Sequence, residues 1–126
     1  MKPLLFLGAI NGFLAVALGA FGAHGLRSKL ADLPDFARRL EWWDTASRYH
    51  LTHALFIVAC ALVSQQLPGR LPVQAAWAAF AGILLFSGSL YVMTLTGLRA
   101  LGAVAPIGGL FLLAAWVLLA WAAVRS

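Results

Sequence analysis

The sequence predicts an all-α fold, an integral membrane four-helix bundle with an interfacial amphipathic helix between the first and second spans. Three observations carry this. Hydrophobic residues make up 63% of the 126 residues and charged residues only 10%, against about 25% charged in an ordinary soluble domain. A chain of this length is one domain, and so small a soluble fold cannot bury such an apolar surplus. Finally, four apolar stretches have about the length that crosses the hydrocarbon core as a helix, roughly 17–25 residues. Helix is required there, because open strands would leave backbone groups unpaired in lipid.

The first span covers residues 3–23, "PLLFLGAINGFLAVALGAFGA". Lys2 and the small residues at 20–23 resemble a signal peptide, but the apolar run exceeds the roughly 7–15 residues of such a segment. The connection at 24–48 holds all four acids (Asp32, Asp35, Glu41 and Asp44) and five of the nine basic residues. Pro34 suits an early helical position, and Asp35 suits the positive end of a helix. Phe36, Leu40 and Trp43 then recur at helical spacing. Arg38 with Glu41 and Asp44 with Arg48 are spaced for pairing, and Trp42 and Trp43 suit a membrane interface. An interfacial helix over about 34–48 is expected to flow into the second span, at 49–66.

The third span is expected at 73–95 and the fourth at 103–124. The links "LPGRLP" and "TGLRALG" are short, so the last three helices are antiparallel neighbours. Counting Lys and Arg alone places the first and third connections in the cytoplasm and both termini outside. The whole chain, residues 1–126, is read as one multi-pass membrane domain.

Small residues recur where helices are to meet. Gly8, Gly12, Gly19 and Gly22 lie in the first span, Gly82 and Gly88 in the third, and Gly108 and Gly109 in the fourth. In lipid such residues let backbones approach. They serve packing within the chain, contact between copies, or both. The +5 formal charge is scattered at segment ends and does not form the single basic face that nucleic acid requires. The expected partners are the bilayer itself and a homo-oligomer or larger membrane complex. Cys60 is the one cysteine, inside an apolar segment, and reads as a packing residue.

The stretch "EWWDTASRYHLTHAL" (41–55) carries polar side chains into the second span. At 100° per residue, Trp43, Ala46, His50, His53, Ile57, Ala61 and Ser64 share one face. Leu51, Leu55, Val58 and Leu62 share another, which suits lipid. Tyr49 lies four residues before His53, within reach. His24 ends the first span on the same side, and Tyr91 approaches from the third, so His24, Tyr49, His50, His53 and Tyr91 form a candidate polar cluster near one interface. Asn11, Ser87 and Ser89 are further polar residues at membrane depth.

Three readings follow. The histidines pair with neighbouring polar groups and set helix register. Alternatively they build a small-ligand, quinone or proton-linked site, since ionisable residues within spans mark functional sites. A metal or redox centre could instead use His24, His50 and His53, but a closed zinc site needs four ligands and the sequence requires no cofactor. There is no G-x-S-x-G, H-E-x-x-H or P-loop motif, so an enzyme is not indicated. The spans hold no acids for a carboxylate relay and no continuous polar lining for a pore.

"LGAFGAHGL" (18–26), "TASRYHLTHAL" (45–55), "LFSGSLY" (85–91) and "PIGG" (106–109), in this order, resemble the YgdD/YwdK-type family of small bacterial membrane proteins. It is also known as domain of unknown function 423 and has a eukaryotic relative, transmembrane protein 256. The resemblance spans nearly the whole chain. It implies a four-span inner-membrane protein without an established biochemical activity. The matching positions include Gly19, Phe21, Gly22, Ala23, His24, Tyr49, His53, Phe86, Ser87, Gly88, Ser89, Tyr91, Pro106, Gly108 and Gly109. The family pattern accepts Gln or His after Tyr49, so His50 does not make a two-histidine metal pair a family property. Ala115–Trp116 stands where relatives resemble Gly-Trp, so close backbone approach there is not essential.

Overall fold

The computed structural model describes residues 2–125. Four helices cover most of them, each long and apolar enough to cross a membrane. Helix α1 spans Lys2–Lys29, α2 Phe36–Val63 and α3 Leu71–Thr96. A short 3-10 turn, Arg99–Ala103, leads into α4, Ala105–Arg125. Neighbours in sequence are neighbours in space: α1 packs on α2, α2 on α3, and α3 on α4. Short links make that order unavoidable, because each returning helix must lie beside the one it left.

Helix α1 runs further than its apolar stretch suggests. It continues through one wide π turn, Gly22–Leu26, where the Trp43 indole lies directly against Gly22 and fills the space of a Cβ. Helix α2 is unbroken, and its 28 residues run about 42 Å at 1.5 Å per residue, beyond the roughly 30 Å hydrocarbon core. The segment expected as an interfacial helix is therefore the first turns of α2, built on the same axis as the span. Its apolar stripe faces protein: Trp43 is buried with Leu26 and Leu30, and Phe36 and Leu40 pack against that group. Trp43 thus serves as a core residue and not as an anchor in the lipid interface. Pro34 falls before the helix, and Asp35 holds the N-cap position without a capping bond. The physical reason is competition, since its carboxylate binds Arg39 at 3.0 Å and lies 3.6 Å from Arg99.

The turns end where glycine allows it. Gly97 closes α3 in the left-handed conformation, φ 75°, with its N–H donating to the Met93 carbonyl, the usual way a helix stops at glycine. Gly69 takes φ 85° in the link before α3. Pro72 and Pro106 each sit in a first helical turn, where a missing N–H costs little.

Of the eight packing glycines, four are demanded by contact. A Cβ on Gly8 would meet the Val58 side chain and backbone nitrogen, one on Gly82 the Leu112 side chain, and one on Gly108 the Phe86 backbone, while Gly22 meets Trp43. Gly12, Gly19, Gly88 and Gly109 leave ordinary van der Waals room. The main core, including Phe56, Ile57, Cys60, Ala76, Ala79 and Ala115, lies towards the end opposite the charged connection. Cys60 is fully buried there. Leu55 and Leu62 are exposed on the outer face of α2, while Val58 is partly covered by α1.

Candidate functional site

The inward face of α2 organises the polar interior. Trp43, Ala46, His50, His53, Ile57 and Ala61 are all buried, and Ser64 is partly so. His50 and His53 nevertheless point to different neighbours. Three residues at 100° leave their side chains about 60° apart around the helix, enough to reach opposite sides of the bundle.

His53 faces α4. Its Nδ1 donates to the Tyr49 carbonyl at 2.8 Å, one turn back. A carbonyl can only accept, so the hydrogen is on Nδ1 and Nε2 is left as an acceptor. Trp116 Nε1–H, which can only donate, meets that Nε2 at 3.0 Å. His53 is thereby held neutral in the Nδ1–H form. The Tyr49 ring stacks on it with planes 7° apart, and Phe56 packs edge-on against Trp116 at 4.4 Å between centroids.

His50 faces α1 and α3. Asn11 Nδ2 donates to the Leu7 carbonyl at 2.8 Å, which turns Asn11 Oδ1 towards His50 Nε2 at 3.0 Å. Nε2 therefore carries the hydrogen, and Nδ1 accepts from the Tyr91 hydroxyl at 3.0 Å. The Tyr91–His50–Asn11 chain ties three helices with the opposite tautomer to His53. Ser87 adds a buried tie, its Oγ donating to the Ala46 carbonyl of α2 at 2.8 Å. Ser89 bonds back within its own helix to Leu85. Trp43 Nε1 donates to the Leu18 carbonyl at 2.6 Å, joining α2 to α1.

The candidate cluster is thus divided. His50 and Tyr91 form one network, Tyr49 and His53 another, and the two serines act separately. His24 is exposed in the wide turn of α1 and joins neither, because α1 continues past the point where it was expected to end. Among the described residues no group of three His, Cys, Asp or Glu side chains is placed to hold a metal ion. The His24, His50 and His53 set is not assembled.

Several working residues stand outside that cluster. Asn11 is noted in the sequence only as a polar residue at depth, and Trp116 only as a departure from the family pattern. At the charged end Arg39 donates to the Asp35 carboxylate and to the Thr94 carbonyl at 3.1 Å. Thr94 Oγ1 shares its hydrogen between the Leu90 carbonyl at 2.9 Å and the Arg39 carbonyl at 3.1 Å, so Arg39 and Thr94 join α2 to the end of α3 chiefly through the Arg39 bond to the Thr94 carbonyl. This Arg39 hydrogen bond holds the Asp35 carboxyl below its ordinary value. The i,i+4 spacing of Asp35 and Arg39 was the available signal. Of the expected pairs, Asp44 and Arg48 meet at 3.7 Å on an exposed face, whereas Arg38 and Glu41 form no ion pair among the described residues.

Two clefts open outward beside these networks. One, of about 360 Å³, lies between α1 and α3 over Asn11, His50 and Tyr91. The other, of about 400 Å³, lies between α2 and α4 over His53, with Tyr49, Phe86, Gly109 and Trp116 on its walls.

A family described as a protein of unknown function (DUF423) matches residues 18–109, a range that holds all three histidines, Tyr91 and the close approach at Gly108. The chain belongs to this family. It is 45% identical over 126 residues to the UPF0382 membrane protein YwdK of Bacillus subtilis, covering 99% of this chain and 98% of that one. It is 40% identical over 122 residues to the UPF0382 membrane protein SSP2132 of Staphylococcus saprophyticus, covering 94% of each. No solved structure matches the chain. With four apolar helices and relatives named as membrane proteins, this member of the family is a membrane protein, and no activity is established for it.

Proposed function

We propose that the protein is a non-enzymatic accessory component of the bacterial inner membrane, acting through its outward faces by association with itself or with a larger membrane complex. The supporting observation is the state of the interior. Among the described residues no buried side-chain nitrogen or oxygen is left without a hydrogen-bond partner. In lipid, polar groups must be satisfied internally, and here His50, Asn11, Tyr91, His53, Trp116 and Ser87 satisfy one another or the backbone. They act as ties that fix which helix faces which. None stands as a spare acid, base or nucleophile. The outward faces of α1 and α4, by contrast, present large apolar side chains such as Phe6, Phe13, Val117 and Trp121.

A pull-down of the tagged full-length chain in mild detergent tests this. The expected outcome is stoichiometric self-association or one reproducible membrane partner that survives washing. Recovery of a clean, lone monomer over the whole concentration range contradicts the proposal.

A further inference from the structure

We infer that the cleft between α2 and α4 binds a small hydroxylated aromatic molecule of the bilayer, a phenol or quinol, whose hydroxyl inserts between Trp116 and His53. This goes beyond an accessory role, and four features of the cleft support it.

The first is donor and acceptor polarity. His53 Nδ1–H is committed to the Tyr49 carbonyl at 2.8 Å, so Nε2 presents only a lone pair. Trp116 Nε1 presents only a hydrogen, 3.0 Å away. A hydroxyl is both donor and acceptor. Placed between them, it accepts from Trp116 and donates to His53, replacing one hydrogen bond by two with nothing left over. A carbonyl or ether oxygen accepts from Trp116 but leaves Nε2 without a donor, a costly state in an apolar site. The cleft therefore selects the reduced, hydroxyl-bearing ring over its oxidised, carbonyl-bearing counterpart.

The second feature is the position of the donor. Trp116 is 47% exposed while His53 is 4% exposed, so the indole stands at the mouth of the cleft and its acceptor lies behind it. The cleft over the His50 network differs, since the Asn11 bond to His50 is buried and His50 Nδ1 already accepts from the Tyr91 hydroxyl, so no pure donor faces a pure acceptor at its mouth.

The third is shape. Tyr49, 45% exposed, and Phe86 stand 4.9 Å apart between centroids and with Trp116 make aromatic walls. The volume of about 400 Å³ falls within the range of about 300–1,000 Å³ for small-ligand sites.

The fourth is Gly109. Within 4 Å a Cβ there would meet only the Phe86 ring, at 3.9 Å, so packing does not require glycine, and glycine in a helix interior is roughly 1 kcal/mol less favourable than alanine. Its effect is to keep the floor of the cleft clear. Gly108, next to it, is different, because the Phe86 backbone leaves no room for a side chain.

The test compares 1-naphthol with 1-methoxynaphthalene on the full-length protein in phosphatidylcholine nanodiscs, with empty discs correcting for partition into lipid. Saturable 1-naphthol binding is expected, about tenfold tighter than the ether, the effect of one lost hydrogen bond at a buried acceptor. Gly109→Leu, which fills the cleft, should abolish the saturable component at an unchanged melting temperature. Trp116→Phe, which keeps a ring and removes the donor, should weaken 1-naphthol several-fold. The wild-type comparison decides the matter even if a variant fails to fold. Equal affinity for the two probes, or no saturable binding above empty discs, overturns the inference and leaves the cleft as a seat for lipid chains.

Discussion

His50 and His53 stand one turn apart on α2 and are held in opposite tautomers by what each meets. His50 donates from Nε2 to an amide oxygen, and His53 donates from Nδ1 to a carbonyl. Side-chain ¹⁵N spectra at neutral pH should show two neutral rings, one of each form, with a hydrogen-bonded Trp116 indole N–H. An imidazolium at either position contradicts the assignment. Replacing His50 by Ala leaves Asn11 and Tyr91 without their shared partner, and should cost about 1–3 kcal/mol of stability, measured by reversible unfolding in detergent. Asp35 carries a pH dependence. Its folded carboxyl is held below the ordinary value of 3.8, first by the Arg39 hydrogen bond. The stabilisation is therefore fully present above that value and is lost as pH falls through the lower, folded one. Acid unfolding of Asp35→Asn should lack this slope, and an unchanged acid limb in the variant would remove Asp35 from the account.

At the scale of elements, the helices meet where side chains are absent. Gly108→Ala drives a methyl group into the Phe86 backbone and should cost about 1–3 kcal/mol through overpacking. Gly12→Ala, whose Cβ would meet only Ala54 at 3.9 Å, should be neutral or mildly stabilising. Equal losses in the two variants would contradict this division. The inward face of α2 was legible because the 3.6-residue period alone sorts Trp43, Ala46, His50 and His53 from Leu51 and Leu55. Which neighbour each residue meets was not legible. The 60° between the two histidines selects different helices, and that depends on packing order. His24 was misplaced because hydropathy falls after residue 23 while the hydrogen-bond ladder continues through a π turn to Lys29. Asp35 and Arg39 are spaced four apart, but so are Asp44 and Arg48, and Arg38 and Glu41 at three apart are also spaced for pairing. Only the proximity of Thr94 and Arg99 singles out the first pair.

For the whole molecule, composition settled the solvent and the number of helices, since neither a soluble core nor open strands can accommodate this chain. It could not say what the outer faces meet. The interior is tied by mutual hydrogen bonds, and the apolar stretches of α1 and α4 are less buried than those of α2 and α3. The proposed association therefore falls to the outer faces and the proposed ligand to the cleft over His53, while the His50 network ties the scaffold. Native mass spectrometry directly from membranes tests the association claim most directly. The account predicts a defined multiple of the chain mass, or the chain together with a second membrane protein. A solitary monomer at every concentration would contradict it.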